Sequence, residues 1–486
     1  MTALDPFGGG SRRPLSGDTP DLPGAPTEPP SELSLTGPRP LRGRLRVPGD
    51  KSISHRALLF AALASGTSRL WWLADGDDVV RSRAAIEALG VKVRDGAGSP
   101  GEAGARRLPP PLSGGHSPPP GAGERVGPVV IVRGAGFAGL REPEAVIDCG
   151  NSGTSIRLLT GILAGRPFHS VLTGDSSIAR RPMGRVVDPL RLMGAQIDGR
   201  DGGRLVPLAI RGGRLSGIRH DLPVASAQVK TALLLAGLQA TGATEVTEPA
   251  LSRDHTERLL PAMGATLEAI PGGVRVAPAD ALTPIDLAIP GDPSAAAFFV
   301  VGACVTPGSD LIVEDVCLNP TRIGFVEVLR RMGADVEVLV KEERGGEPVG
   351  DIRAAAGPLR ATTIAGDEIP RVIDEIPALA VAAAFAAGTT EVADAAELRV
   401  KESDRIGTVA QELSQLGIAV EPTADGLVIT GGAPHGGLLK SHGDHRIAMA
   451  AAIAANACEG PSTVRGWRAV ASSYPGFAHD LASVTE

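Results

Sequence analysis

Six times along the chain a stretch of Leu, Ala and Val is led by polar or charged residues and followed by a glycine, and this repetition constrains the fold more than any other feature. The first runs from Ser54 to Gly66, SHRALLFAALASG, after the strand-like segment ending at Pro48-Gly49. The others open at Asn151 (NSGTSIRLLTGILAG), Ser226 (SAQVKTALLLAGLQATG), Asp292 (DPSAAAFFVVGACVTPG), Asp374 (DEIPALAVAAAFAAG) and Asp444 (DHRIAMAAAIAANACEG). A helix that is apolar nearly all round must lie inside a domain, so six of them predict cores built around central helices. Each is expected to stop on its glycine as a C-cap.

Between these stretches lie amphipathic segments that end in Leu-Gly or Met-Gly and run into an apolar strand. The junctions are at Gly90, Gly194, Gly264, Gly333 and Gly417, where glycine is the natural left-handed stop of a helix. Further strands are expected after Gly66, Gly242, Gly308 and Gly388. The pattern predicts a modular α/β fold of six units, three per domain, divided near Pro290-Gly291. Domain I is expected to comprise residues 40–48 plus 291–486, and domain II residues 49–290. Residues 1–39, rich in Pro, Gly, Ser and Thr, read as a disordered tail. A Pro/Gly-rich insertion at about 94–127 reads as a floppy surface loop without a catalytic role.

Buried helices leave their front ends to carry the chemistry. Helix N-termini offer unpaired N–H groups and partial positive charge, which favour anions. Here those ends also carry Lys51, Ser52, Arg56, Asn151, Thr154, Arg157, Ser226, Gln228 and Arg446, most of them phosphate or carboxylate partners. RVKESDR (Arg399 to Arg405) is charged or hydroxyl-bearing everywhere but Val400, and IDEIP places Asp374 at a helix start. Asp374 beside Lys401 and Glu402 would form an acid/base set.

Composition excludes several classes. A net charge of -7 with 3% aromatic residues does not suit a nucleic-acid surface. No long uncharged apolar run indicates a membrane span, and the N-terminus has no apolar signal segment. Four scattered cysteines read as reduced thiols of a cytoplasmic protein. GDKS at Gly49 to Ser52 lacks the full P-loop pattern, no GxGxxG is read as opening a helix after a strand, and no HExxH or Cys/His cluster suggests a metal, so no cofactor and no metal are expected.

VPGDKSISHRAL, GNSGTSIRLL, SAQVKTALLLAGL, SRDHTE, VIDEIPALAVAAAFA, RVKESDR and GDHRIAMA together resemble, in order, the motif series of the 5-enolpyruvylshikimate-3-phosphate synthase family. The likeness spans about Leu41 to the C-terminus, apart from the insertion. It implies a two-domain inside-out α/β barrel of six βαβαββ repeats with the active site between the domains. It also implies a cofactor-free transfer of the enolpyruvyl group of phosphoenolpyruvate to the 5-hydroxyl of shikimate 3-phosphate, by a protein expected to be a monomer.

By motif match, phosphoenolpyruvate would be held by Lys51, Asn151, Gly153, Thr154, Arg181, Gln228, Arg405 and Arg446. Shikimate 3-phosphate would be held by Lys51, Ser52, Arg56, Ser226, Ala227, Gln228, Ser252, Arg253, Asp374 and Lys401. The resemblance further implies Asp374 as base for the hydroxyl, with Glu402 and Lys51 passing a proton to and from the methylene carbon. Three positions depart from some members: Ala227 replaces a serine, Ser472 a lysine and Glu397 an asparagine. Gly153 leaves room for glyphosate. Two rivals are the sister transferase acting on UDP-N-acetylglucosamine, which carries Asn after the lysine and a reactive loop cysteine, and a non-catalytic anion-binding protein of the same fold.

Overall fold

The computed structural model describes residues 29–98, 105–107 and 127–485. All six apolar helices form, at Lys51–Leu63, Gly153–Ala164, Ala227–Gly237, Pro293–Val305, Ile376–Ala384 and His445–Ala457. Five are capped by the preceding side chain: Asp50, Ser152, Ser226, Asp292 and Asp444 each accept from a backbone N–H in the first turn. Every residue of Pro293–Val305 is buried. Its Phe298 and Phe299 side chains contribute about 1.5–3 kcal/mol each by leaving water.

Of the expected glycine stops, Gly165 caps the second helix, while the other five helices end before their glycines. Lys51–Leu63, Pro293–Val305 and His445–Ala457 end on extended Ala64, Thr306 and Cys458, because the chain passes almost directly into the next strand. Their glycines come two residues later, as Gly66, Gly308 and Gly460, with positive φ in the connection. The five amphipathic-helix junctions do follow the expectation. Gly90, Gly194, Gly264, Gly333 and Gly417 all have φ between 84° and 110°.

One unit shows the plan. Strand Ile147–Asp148 leads through a buried helix to the parallel strand His169–Thr173, then through helix Gly184–Leu192 to the hairpin Gln196–Gly199 and Leu205–Arg211. Two other units, beginning at Arg219–Asp221 and Thr363–Ile364, repeat it with the same strand order. Two more exchange their first strands. Arg42–Leu45 pairs with Asp310–Cys317, while Asp286–Ala288 pairs with Ser65–Trp71. The chain therefore crosses between the halves twice, and the crossings are bonded to each other: Asp50 N donates to Pro290 O at 2.7 Å and Asp292 N to Pro48 O at 2.8 Å.

The sixth unit corrects the reading of residues 1–39 as tail. Glu32–Gly37 is a strand, paired along its length with Gly460–Arg465 and completing that sheet beside Leu438–Lys440. Leu33 and Leu35 pack on the core. That two-residue alternation was hidden by the surrounding Pro and Ser. Residues 1–28 lie outside the described residues.

The insertion is also partly ordered. Lys92–Gly98 is a strand, and Ala105–Arg107 pairs with Glu342–Arg344 across the halves, while 99–104 and 108–126 lie outside the described residues. Two large apolar cores result. One gathers Leu41, Leu45 and Val47 with residues from Ala295 onward; the other runs from Ile53 to Ile289 and adds Cys317.

Candidate active site

Asp374 stands where side chains of the two halves meet. It sits two residues before helix Ile376–Ala384 and is reached by cations from four directions. Arg253, from the other half, contacts Oδ2; Lys401 Nζ lies 3.5 Å and Arg405 Nη1 3.3 Å from Oδ1; Arg446 Nη2 is 3.9 Å from Oδ2. Burial alone would raise this carboxyl, but Lys401, Arg253, Arg446 and Arg405 outweigh it and hold it well below the ordinary carboxylate range.

Glu402 is held in the same way. Arg405 Nη2 lies 2.5 Å and Arg181 Nη2 3.1 Å from its oxygens, and Arg181 comes from the opposite half. Burial opposes the charge, yet Arg405 and Arg181 keep Glu402 an anion well below its usual value. Arg405 is itself fixed by Asp444, the cap of helix His445–Ala457, at 2.8 Å. The structure thus brings Asp374, Lys401 and Glu402 together around Arg405, with more guanidinium about them than the motifs disclosed.

The other front ends meet this centre. Arg181 donates to Asn151 Oδ1 at 3.3 Å, and Asn151 Nδ2 donates to Asp175 at 3.0 Å. Gly153 opens the second buried helix directly beneath Arg157 and Arg181. Arg157 donates to Gln228 Oε1 at 2.7 Å, and Gln228 Nε2 donates to Thr154 Oγ1 at 2.9 Å. Burial drops the Arg157 guanidinium to about 10. Lys51 Nζ bonds Asp78 at 3.0 Å while its backbone N–H donates to Asp292. A cavity beside Lys51 and Arg446 is lined also by Asp292, Ser294, His445 and Tyr474.

The residues matched to the sugar phosphate form a second group. Arg56 donates to Thr256 at 2.8 Å and Thr231 at 2.9 Å, and reaches the Ser52 carbonyl at 3.0 Å. Burial lowers it to about 10, with Glu257 the leading counterweight. Ser226 caps the third helix, so Ala227 is its first residue. The Ser252 hydroxyl is buried without a partner. Two of the departing positions are turned to other uses: Glu397 pairs with Arg185 across the cleft at 3.0 Å, and Ser472 donates to the Ala469 carbonyl.

Sequence reasoning passed over Arg322, which is 2% exposed and binds both crossing segments. It donates to Asp50 at 2.6 Å, Asp292 at 3.0 Å, Ser294 at 2.9 Å and His255 Nε2 at 3.1 Å. Its partners are scattered in sequence, so no local motif marks it. Since arginine only donates, His255 Nε2 accepts and Nδ1–H donates to Glu347 at 2.7 Å. His255, Glu347 and Cys317 lie close enough to share a cation. They are instead bonded to one another beside the Arg322 charge, and burial pushes the Cys317 thiol well up. His445 was missed although it adjoins Arg446; burial and Lys51 push its imidazole down to about 3.

The sequence matches the family EPSP synthase (3-phosphoshikimate 1-carboxyvinyltransferase) over residues 35–101 and 123–481. The chain belongs to the EPSP synthase family. The gap in the match falls inside the Pro/Gly-rich insertion. A 3-phosphoshikimate 1-carboxyvinyltransferase of Chloroflexus aurantiacus is 51% identical over 93% of this chain and 99% of its own length. One of Desulforudis audaxviator is 50% identical over 93% and 99%. The structure of EPSP synthase from Acinetobacter baumannii superposes with a TM-score of 0.79 at 41% identity, covering 93% of this chain and 98% of that one. The enolpyruvyl transferase NikO of Streptomyces tendae shares the fold, with a TM-score of 0.70 at 20% identity over 94% and 98%.

The two-domain α/β architecture expected of an EPSP synthase is thus the architecture observed. The sister reading on UDP-N-acetylglucosamine is not favoured. All four cysteines, Cys149, Cys304, Cys317 and Cys458, are buried, and none stands on the loop before Arg181. Among the described residues no helix is long and apolar enough to cross a membrane.

Proposed function

We propose that the protein transfers the enolpyruvyl group of phosphoenolpyruvate to the 5-hydroxyl of shikimate 3-phosphate and releases phosphate. The observation that carries this reading is Asp374 ringed by Arg253, Lys401, Arg405 and Arg446, contributed by both halves. Two substrates with two phosphates and two carboxylates need such a concentration of cations, and a reaction at a hydroxyl needs a carboxylate among them.

Arg181, Arg405 and Arg446, with Lys51, Asn151, Gly153, Thr154 and Gln228, hold phosphoenolpyruvate. Ser52, Arg56, Ser226, Ala227, Ser252, Arg253 and Lys401, with Lys51, Gln228 and Asp374, hold the sugar phosphate. Asp374 takes the hydroxyl proton as the oxygen adds to the central carbon of phosphoenolpyruvate, while the methylene carbon gains a proton from Lys51. Phosphate leaves the central carbon with the proton that Asp374 took, and Glu402 removes a methyl proton and relays it back to Lys51, which restores the vinyl group. Atoms and charge balance without a further reactant.

The same guanidinium groups serve carboxylates in the free protein and anions of the bound substrates. As Arg405, Arg446, Arg253 and Arg181 turn to phosphate and carboxylate, Asp374 and Glu402 lose positive neighbours. Their pKa values must then rise, so binding makes both carboxylates better bases. The test is phosphate release from phosphoenolpyruvate by purified protein, with shikimate 3-phosphate or UDP-N-acetylglucosamine offered in parallel. Turnover with the sugar phosphate alone supports the proposal. Turnover only with the nucleotide, or with neither, rejects it.

A further inference from the structure

Lys230 lies one turn inside the third buried helix, Ala227–Gly237, and its side chain is 2% exposed. Burying an ammonium is costly unless it is paired and fully bonded. Its Nζ lies 2.8 Å from Glu248 Oε1 and 2.7 Å from Glu257 Oε1. Burial disfavours the charged lysine, but Glu257 and Glu248 reverse this and raise its pKa.

What the two carboxylates flank gives the arrangement its meaning. Glu248 follows strand Thr244–Thr247, and Glu257 lies in the first turn of helix His255–Ala262. Between them runs the irregular segment that carries Ser252 and Arg253. One ammonium therefore ties both ends of this segment to the helix that presents Ser226, Ala227 and Gln228. Glu248 Oε1 also accepts from the Ser252 backbone N–H at 3.0 Å, which fixes the segment from within. The Ser252 hydroxyl remains buried with no protein partner, a donor aimed at nothing in the free molecule. Glu257 is moreover the main favourable charge acting on Arg56.

We propose that Lys230, Glu248 and Glu257 form a positioning staple that holds Ser252 and Arg253 in the geometry that binds the phosphorylated acceptor. Lys230 touches neither substrate; it acts through that segment. The identity of the acceptor rests on the function proposed above, while the staple itself does not.

Lys230→Met leaves two buried carboxylates unpaired and is expected to fold poorly. The triple variant Lys230→Met/Glu248→Gln/Glu257→Gln removes the staple without leaving an unpaired carboxylate, and Glu257→Gln alone measures what Arg56 loses with its counter-charge. In it the KM for shikimate 3-phosphate is expected to rise about tenfold, the worth of one well-placed hydrogen bond. The kcat and the KM for phosphoenolpyruvate should stay within about threefold of wild type, as for a lost binding term.

Amide hydrogen exchange in segment 249–256 of the ligand-free protein reads the staple without any substrate, and protection there should fall in the triple variant. Unchanged protection, or lost protection with an unchanged acceptor KM, overturns the inference. Equal rises in both KM values do so too, since they mark a merely structural cluster. If wild type does not use shikimate 3-phosphate, the proposed function fails, and the same comparison is made with the acceptor it does use.

Discussion

Gly153→Ala adds one methyl group to the first residue of the second buried helix, and the structure says where it goes. A Cβ there lies 2.7 Å from Arg157 Nη1 and 3.1 Å from Arg181 Nη1. The backbone at Gly153 is outside the left-handed region, so alanine is tolerated and is the better helix former. Both neighbours are ends of flexible side chains, so they swing aside at little cost to folding. Arg181 is also a cation assigned to phosphoenolpyruvate and the link to Glu402 at 3.1 Å, and Arg157 holds Gln228, assigned to the same substrate, at 2.7 Å. Displacing one charge-assisted hydrogen bond costs about 1.5–3 kcal/mol. That corresponds to a rise in KM of roughly 10- to 150-fold. The assay is steady-state phosphate release with phosphoenolpyruvate varied at saturating shikimate 3-phosphate, alongside a thermal melt. Glyphosate should inhibit the wild type and inhibit the variant far less. An unchanged phosphoenolpyruvate KM, or an equal rise in the KM of both substrates, would refute the reasoning.

Asp374→Ala should lower kcat by about 10²–10⁴, the usual worth of a positioned base, with smaller changes in either KM; equal losses in turnover and affinity would count against the assigned role. His445 is neutral when folded, with its pKa pushed down to about 3, so the unfolded chain binds the extra proton below its ordinary value of about 6.5. Stability is then complete well above that value and falls as the pH drops, by about 1 kcal/mol between pH 6.5 and 5.5 from this group. His55, also pushed well down by burial, adds in the same direction. The depressed carboxyls of Asp374 and Glu402 act only at lower pH, as they protonate in the unfolded chain. Urea unfolding at the two pH values tests this, and an equal loss in a His55→Gln/His445→Gln double variant would contradict it.

The sequence by itself determined the repeat. Apolar periodicity and punctuating glycines are local properties, and they located all six buried helices and the five amphipathic-helix stops. Residues near those helix starts, such as Lys51, Asp374 and Arg446, could be marked as candidates because a helix N-terminus confers its electrostatics whatever the rest of the chain does. The expected division already placed residues 40–48 with 291–486, but tertiary structure alone decided which strands pair, Arg42–Leu45 with Asp310–Cys317 and Asp286–Ala288 with Ser65–Trp71, since pairing strands far apart in sequence leaves no local trace. It also decided that Glu32–Gly37 completes the last sheet, a short strand whose stability comes from a partner more than 400 residues away, as the Glu32–Arg465 pair shows. The charge network was equally illegible: Arg322 with Asp50 and Asp292, Arg181 with Glu402, and Lys230 with its two glutamates all join separate elements. A charge read in sequence is solvated by default. Only folding removes the water and obliges it to find these partners.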